Sequence, residues 1–233
     1  EGIGNDEDLV GRFLAATPFF YGEGTLANPE AYEEELGFAT LCSRQFDEPG
    51  TQKAGKLFLT MNYETPNLDI AASMAQGEDA AAIQAATTAP AKFQLYGNMS
   101  PFSVAENRVT PGDMSTRFRL PTTMINTPSP LYDPARSLIY EQLMEGVLSQ
   151  MGCSDLSVGT YPQRGDHAAC TTRMASDPSE GVVDHDLTVF GTDNVVVLSN
   201  AAFPTMPAAN PTLTLVAMIL SALRGDCGSK LRS

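Results

Sequence analysis

The chain has little of several residue types that usually carry chemistry. Its 233 residues include no tryptophan, two histidines, four cysteines and four lysines. The cysteines show no paired spacing of the kind that zinc sites use, and they are too few and scattered to predict a disulfide framework. We therefore expect buried or incidental thiols and no metal centre at the four positions, Cys42, Cys153, Cys170 and Cys227.

Positive charge is also scarce. Fourteen lysine and arginine residues face 28 aspartate and glutamate residues, which gives a net charge of −14 and a pI of about 4.4. An acidic protein of this kind repels nucleic acid and anionic lipid, so neither is an expected partner. No apolar run reaches the ~20 residues that a membrane-spanning helix needs, and we expect a soluble globular protein without a membrane span.

The first residues do not resemble a signal peptide, and the chain does not start with Met. This start fits a fragment, a processed chain or a trimmed one, and the cellular compartment stays unknown.

Hydrophobic patterning predicts an α+β fold with an antiparallel sheet and flanking helices. Alternating or β-branched stretches predict strands, and helical spacing of apolar residues predicts helices. An alanine-rich helix over 68–88 should be interrupted at Gly77. Strands interspersed with helices, without a regular βαβ alternation, favour an antiparallel sheet. The predicted strands are 56–63, 92–96, 108–110 and 116–125, and the other predicted helices are 29–36 and 138–150.

The last third of the chain predicts a helix whose start suits an anion. Asn210 is a good N-cap residue type, and Pro211 then falls at the first helical position. Residues 212–223 are apolar almost all round, as expected of a buried helix. The free backbone N–H groups and the dipole at such a helix start stabilise a negative charge.

The two histidines differ in what surrounds them. His185 lies between two aspartates, and we interpret it as a solvated turn histidine in preference to a metal ligand. His167 offers an imidazole, the side chain that handles protons best near neutral pH. An ordinary loop histidine is its alternative interpretation, as an ordinary N-cap is for Asn210. A thiol hydrolase built on Cys170 and His167 is not favoured, because no oxyanion arrangement is visible in the sequence.

Several segments in this region resemble the C-terminal signature of the glucose–methanol–choline (GMC) flavin oxidoreductases. His167-(x)3-Thr171-Thr-Arg173-Met174 is similar to the family's segment around its catalytic histidine. A second group of segments runs from Gly181-Val-Val-Asp184 through Phe203-Pro204-Thr to Asn210-Pro211-Thr-Leu-Thr. Leu-Ser-Asn-Ala-Ala-Phe-Pro-Thr is closest to the sugar-acid and polyol dehydrogenase branch. The resemblance is dense over 165–224 and thin elsewhere.

The resemblance implies an FAD-dependent enzyme that oxidises a CH–OH group of a sugar, sugar acid or polyol. It implies that His167 is the general base and that Asn210, histidine or asparagine in relatives, orients the substrate oxygen. The helix beginning at Pro211 and Thr212 would face the flavin. The implied cofactor contacts of the preceding turn are Ser199, Asn200 and Ala201, although Ser199 replaces an acid found in many relatives. Cys170 departs from a turn that in relatives often contains glycine. The electron acceptor, oxygen, quinone or cytochrome, is left open.

A dinucleotide-binding fingerprint is missing. Gly22-Glu-Gly24 lacks the third glycine and the βαβ setting of Gly-x-Gly-x-x-Gly, so the pyrophosphate of FAD has no evident cradle. We therefore expect only the C-terminal part of such a flavoprotein. Residues 1–16 would be a connector, 17–165 a substrate-binding domain and 166–233 the segment that completes the FAD site. The alternatives are a non-catalytic binding or assembly subunit, and a split enzyme whose second chain carries the missing module.

Overall fold

A computed structural model describes residues 2–26, 41–43, 57–64, 70–87, 92–118, 120–161 and 167–225. The strands are β1 (Phe19–Leu26), β2 (Leu41–Ser43), β3 (Leu57–Glu64), β4 (Lys92–Met99), β5 (Arg108–Ser115), β6 (Pro121–Asn126) and β7 (Cys153–Tyr161). The helices are α1 (Ile70–Ala75), α2 (Ala80–Thr87), α3 (Pro134–Gln150) and α4 (Thr212–Arg224). No helix in these ranges is long and apolar enough to cross a membrane.

Five strands form one antiparallel sheet in the order β2-β3-β4-β1-β7. Strand β1 lies between β4 and β7, with Tyr21 opposite Tyr96 on one side and Gly159 on the other. Side chains of β1 alternate between buried and half-buried, because successive residues of a strand point to opposite faces. One face of the sheet therefore packs into a hydrophobic core.

Helix α3 covers that face. Its first turn is capped by Asp133, whose side chain accepts a hydrogen bond of 3.0 Å from the Ala135 N–H, and Pro134 occupies the start of the helix. Tyr140, Met144 and Leu148 follow at a spacing of four residues and are buried against the sheet. The sheet contributes the other buried members of this core, Phe20, Leu26, Phe93, Leu95 and Met99.

Strands β5 and β6 form a separate two-stranded antiparallel sheet. The base of this hairpin contacts the N-terminal segment, since the Val109 N–H donates to the Gly11 carbonyl at 2.8 Å. Asn107, fully buried just before β5, exchanges two hydrogen bonds of 3.0 Å between its side-chain amide and the backbone of Ser129. These bonds fix both ends of the hairpin.

The described part of the C-terminal third is largely irregular, with one short 3-10 turn at Asn200–Ala202 before helix α4. Asp184 holds a tight turn, because its carboxylate accepts from the N–H groups of Asp186 and Thr188 at 2.9 and 3.0 Å. A second core forms where α4 packs on the neighbouring loops and on the N-terminal segment. Its buried members are Val182, Val183, Leu187, Val189, Ala202 and Ala222.

The predicted α+β architecture with antiparallel strands and flanking helices is confirmed. The strand predicted over 56–63 is β3, the alanine-rich helix is α1 and α2 on either side of Gly77, and the helix predicted over 138–150 is α3. The helix predicted over 29–36 lies outside the described residues.

Two predictions about the C-terminal helix are wrong in detail. The helix starts at Thr212, so the N-cap is Pro211 and not Asn210, and no side chain caps it in the described structure. The helix is also not buried all round, because Leu213 is 83% exposed and Val216 and Leu220 are exposed beside it. These three residues lie on one side of the helix, at a spacing of three and four residues.

Candidate active site

The segment that follows His167 is joined to the 3-10 turn by a ladder of backbone hydrogen bonds. The N–H groups of Cys170, Thr172 and Met174 donate to the carbonyls of Asn200, Ala201 and Ala202 at 3.2, 2.9 and 2.9 Å. Every second residue from Cys170 to Met174 is a donor in this ladder. The ladder brings two motifs together that lie thirty residues apart in the sequence.

The same segment is bonded to the start of the chain. Ala169 and Ala15 exchange two backbone hydrogen bonds, of 2.9 and 3.2 Å, and Gly11 N–H donates to the Thr171 carbonyl at 2.7 Å. Ala15 lies four residues before β1. The main sheet and the His167 segment are therefore connected through residues 11–15.

A buried cluster links this pairing to helix α4. Ala15, Ala169 and Cys170 are buried together with Phe203 and Met206, and Leu215 and Met218 of α4 pack against them. Small side chains at the first three positions allow the backbones to approach closely. The cluster places the start of α4 in the same part of the fold as the His167 segment.

The start of α4 provides backbone donors. The first hydrogen bond inside the helix runs from the Leu215 N–H to the Pro211 carbonyl at 2.9 Å. The N–H groups of Thr212, Leu213 and Thr214 consequently precede the first intrahelical donor, and Thr212 and Leu213 are exposed. This end of the helix carries partial positive charge and suits an anion.

The two residues predicted to act in catalysis lie next to the backbone ladder and the start of α4. His167 is half-buried, two residues before the bonded Ala169, and Asn210 is exposed, immediately before the N-cap of α4. The structure brings their segments into one cluster. A direct role for either side chain stays a prediction.

The predicted cofactor-contacting residues occupy the turn and the helix start. The Ser199 hydroxyl accepts a hydrogen bond of 3.1 Å from the Ala201 N–H and so caps the 3-10 turn. The Asn200 carbonyl accepts from both Cys170 and Phe203. These bonds give Ser199 and the Asn200 backbone a structural role, whatever else they contact.

Three buried polar atoms of this region have no hydrogen-bond partner within the described residues: Thr172 Oγ1, Arg173 Nε and Asn200 Oδ1. A buried polar atom without a partner costs about 1–3 kcal/mol, so each one calls for an explanation. All three belong to residues of the two segments that the backbone ladder joins. A group that contacts this ladder would offer them partners.

Cys170 is the residue where the sequence departed from the family pattern. Its backbone φ is 74°, in the left-handed region that favours glycine, and its side chain is fully buried. Burial raises the pKa of the Cys170 thiol to about 11, against smaller lowering effects of a Ser103 hydrogen bond and of Arg173. The thiol is protonated at neutral pH and is a poor nucleophile, which argues against the thiol hydrolase.

Sequence reasoning missed the residues that hold the N-terminal segment in place. The guanidinium of Arg173 lies 4.5 Å from the centre of the Phe13 ring, a cation–π contact. Phe13 itself has a φ of 63°, and its carbonyl accepts a hydrogen bond of 2.9 Å from the Ser103 hydroxyl. Nothing in the local sequence signals a left-handed phenylalanine. No group of three or more histidine, cysteine, aspartate or glutamate residues in the described ranges could hold a metal ion.

Comparison with known protein families identifies this region. Residues 138–218, which contain most of α3, all of β7, the backbone ladder and the start of α4, match the family model of the GMC oxidoreductase C-terminal domain. The resemblance seen in the sequence is therefore confirmed for this segment at the level of the family. The sugar-acid and polyol branch is not distinguished by this match. A comparison with curated proteins gives no match.

Solved structures share the fold at low sequence identity. Pyridoxine 4-oxidase from Mesorbium loti is 15% identical with a TM-score of 0.52, over 93% of this chain and 43% of its own. An FAD-dependent oxidoreductase from Chaetomium thermophilum is 14% identical with a TM-score of 0.50, over 96% and 48%. Formate oxidase from Aspergillus oryzae RIB40 is 13% identical with a TM-score of 0.51, over 97% and 48%. This chain spans less than half the length of each.

Proposed function

We propose that this chain is the C-terminal part of an FAD-dependent oxidoreductase that oxidises a CH–OH group of a sugar, sugar acid or polyol. The observation that carries the proposal is the backbone ladder between the His167 segment and the turn before α4, inside a segment that matches the GMC oxidoreductase C-terminal domain. In this proposal residues 17–165 bind the substrate and residues 166–233 complete the FAD site.

His167 acts on the substrate proton. Oxidation of an alcohol removes a proton from the hydroxyl oxygen and a hydride from the carbon, and FAD when bound supplies the hydride acceptor. The half-buried His167 imidazole takes the hydroxyl proton as general base. The exposed Asn210 amide donates a hydrogen bond to the same oxygen and fixes its orientation.

The residues of the ladder and of the helix start fit FAD. The backbone N–H groups of Thr212 and Leu213, two exposed residues at the uncapped start of α4, suit the negative charge of a reduced flavin. The unsatisfied Asn200 Oδ1 and Thr172 Oγ1 gain partners if their side chains turn towards a bound polar group. Ser199, Ala201 and Pro211 hold the backbone of this surface in place.

The exposed apolar side chains on one face of α4 support the proposal that a further module packs against this chain. Leu213, Val216 and Leu220 expose large apolar side chains on one face of a helix whose opposite face is packed in two cores. Exposed apolar stripes of this kind mark interaction surfaces. We infer that a module with the dinucleotide-binding fold covers this stripe, either as a preceding segment of the same polypeptide or as a second chain.

A non-catalytic subunit is the second candidate function. It is favoured by the lack of a Gly-x-Gly-x-x-Gly fingerprint in this sequence, because a chain that keeps the fold without a cradle for pyrophosphate cannot hold FAD by itself. The two candidates differ in whether flavin is bound once the missing module is present.

The test is the visible flavin absorbance of purified protein. The chain is purified alone and together with the polypeptide encoded directly upstream of Glu1, expressed as a separate piece. We expect no flavin in the chain alone and about one flavin per complex. A complex that forms without flavin would support the non-catalytic subunit instead.

A further inference from the structure

The face of the main sheet opposite α3, called here the far face, carries aromatic and polar side chains that lie outside the hydrophobic core. In β1, Phe19, Tyr21 and Glu23 are half-buried and alternate with buried residues. In β4, the half-buried Gln94 and Tyr96 stand opposite Glu23 and Tyr21. Residues directly opposite each other in antiparallel strands share a face of the sheet, so these five side chains form one surface.

The Tyr21 ring lies across the neighbouring strand β7. A Cβ added at Gly159, which stands opposite Tyr21, would lie 2.7 Å from the Tyr21 hydroxyl oxygen and 2.9 Å from two carbons of its ring. The missing side chain of Gly159 therefore leaves the room that this ring occupies. On the other side of β1, the centre of the Tyr96 ring lies 5.3 Å from the centre of the Phe19 ring. Three aromatic rings thus lie at one end of the far face.

A chain of polar contacts continues from these rings. The Tyr96 hydroxyl donates to Gln94 Oε1, and Gln94 Nε2 donates to Glu23 Oε2 at 3.3 Å. Lys92 Nζ donates to Glu23 Oε1 at 2.5 Å, and this hydrogen bond lowers the pKa of the Glu23 carboxyl. The carboxyl is therefore ionised at neutral pH, and each of its oxygens already accepts a hydrogen bond.

The aromatic end of the far face is the end attached to the candidate active site. Phe19 begins β1 four residues after Ala15, which is bonded to the His167 segment. Tyr161, opposite Phe19, ends β7 six residues before His167. Glu23 is four residues further along β1 than Phe19, which is about 13 Å in an extended strand. A ligand on the rings consequently has one end towards the His167 segment and the other towards Glu23.

We propose that the far face binds a neutral sugar ring and discriminates against a sugar acid. The C–H face of the sugar lies on the Tyr21 and Tyr96 rings, and the hydroxyls furthest from the reacting carbon contact Gln94 and Glu23. Carboxylate oxygens accept more than one hydrogen bond each, so Glu23 has capacity left for a sugar hydroxyl. The proposal rests on the proposed function and selects one of its three substrate classes.

The chemistry of the surface matches a neutral ring better than an anionic one. A sugar ring combines an apolar C–H face with a rim of hydroxyls, and ligand sites recognise such molecules with aromatic area and a few placed polar groups. A carboxylate at the far end of the ring would face the ionised Glu23. The net charge of −14 adds to the repulsion of an anionic ligand.

D-Glucose and D-glucuronate are the probes, because they differ only in the C6 group, which is hydroxymethyl in one and carboxylate in the other. Their dissociation constants are measured on the flavin-loaded complex by saturation-transfer-difference NMR, which requires no turnover. We expect glucose to bind about tenfold more tightly than glucuronate, on the order of one charge–charge contact near a protein surface. Tighter binding of glucuronate overturns the proposal, since Lys92 would then receive the carboxylate. Binding of neither sugar overturns it as well.

A matched pair of charge substitutions tests the role of Glu23. E23Q and E145Q each remove one negative charge, and Glu145 is exposed on α3, which covers the opposite face of the sheet. E23Q should reduce the preference for glucose over glucuronate about tenfold, whereas E145Q should leave it within about twofold. An equal preference in the two variants would mean that Glu23 does not discriminate, and the proposal would be wrong.

A matched pair of glycine substitutions tests the aromatic rings. G159A places a methyl group against the Tyr21 ring, whereas G146A adds a methyl group on α3 with nothing within 4 Å. G159A should weaken glucose binding and raise the KM about fivefold to tenfold, on the order of one displaced aromatic contact, and G146A should change neither. Y21A removes the ring without adding an atom and gives the same test if G159A does not fold.

Failure of this proposal is distinguishable from failure of the proposed function. Glucose binding that is equal in G159A, Y21A and G146A overturns the far face as a sugar site. The proposed function stands in that case if the complex holds flavin and an alcohol reduces it. The proposed function fails separately if the complex holds no flavin, which visible absorbance shows before any sugar is added.

Discussion

Ala15 and Ala169 exchange two backbone hydrogen bonds, of 3.2 and 2.9 Å, and this pair connects the N-terminal segment before the main sheet to the His167 segment of the candidate active site. Ala15 lies four residues before β1 of the main sheet, and Ala169 lies two residues after His167. Both side chains are buried, and their small size lets the backbones meet. The position of His167 is thus set by residues at the opposite end of the chain.

Gly11 makes this attachment possible, and its substitution should be destabilising. Gly11 has a φ of +86°, and a Cβ added there would lie 2.1 Å from the Val109 carbonyl oxygen. Gly77, with a φ of +81° and nothing within 4 Å of an added Cβ, has the same backbone strain without the clash. G77A should lower the free energy of unfolding by about 1 kcal/mol. G11A should lose a further 1–3 kcal/mol, on the order of an overpacked site.

Urea unfolding of the two variants measures this difference. Equal losses in G11A and G77A would mean that the N-terminal segment does not lie against β5 as described.

Cys170 occupies a backbone position that suits glycine. C170A keeps the left-handed φ of 74° and removes the thiol, whereas C170G removes both the thiol and the steric strain. We expect C170G to be more stable than C170A by about 0.5–1 kcal/mol in urea unfolding. A less stable C170G would indicate that the backbone at this residue is not left-handed.

Substitution of Asn210 distinguishes a structural role of this side chain from a role in the reaction. Because Asn210 is exposed and is not the helix cap in this structure, N210A should change the free energy of unfolding by less than about 0.5 kcal/mol, whereas loss of a true N-cap costs about 1 kcal/mol. In the complex with bound FAD, the same variant should slow flavin reduction about 100-fold, as loss of an oriented hydrogen-bond donor does. A stability loss of 1 kcal/mol or more with unchanged reduction would make Asn210 a cap and nothing else.

Local patterns predicted part of the fold, and non-local pairing explains what they missed. β3, β4 and α3 follow from alternation and helical spacing. β1 was missed, because Gly22 and Gly24 are weak strand formers that are present for close packing, with Leu148 of α3 3.1 Å from a Cβ added at Gly22. β7 was missed too, since its apolar alternation is short, with only Leu156 and Val158 on either side of Ser157 among small and polar residues.

For the candidate site too, local sequence patterns did not predict the contacts between distant segments. The motifs at 167–174 and 199–212 were found in the sequence through their resemblance to the GMC family's C-terminal signature. Their joining by a backbone ladder and by Ala15 is a property of the tertiary fold, which no local pattern encodes. The exposure of Leu213, Val216 and Leu220 on α4 could not be predicted either, since a helix that is apolar on all sides gives the sequence pattern of a buried one.

The central claim is that His167 takes the substrate proton. The measurement is anaerobic stopped-flow reduction of bound flavin in the complex, with D-glucose, D-gluconate, D-sorbitol and benzyl alcohol as trial substrates. H167A should retain flavin and slow its reduction by about 100- to 10,000-fold, the usual contribution of a general base. H185A is the matched control, because that histidine is exposed and pairs only with the neighbouring Asp186 at 3.5 Å in the described structure. The comparison uses a substrate that the unsubstituted complex oxidises. If flavin is reduced as fast in H167A as in H185A, the claim is contradicted.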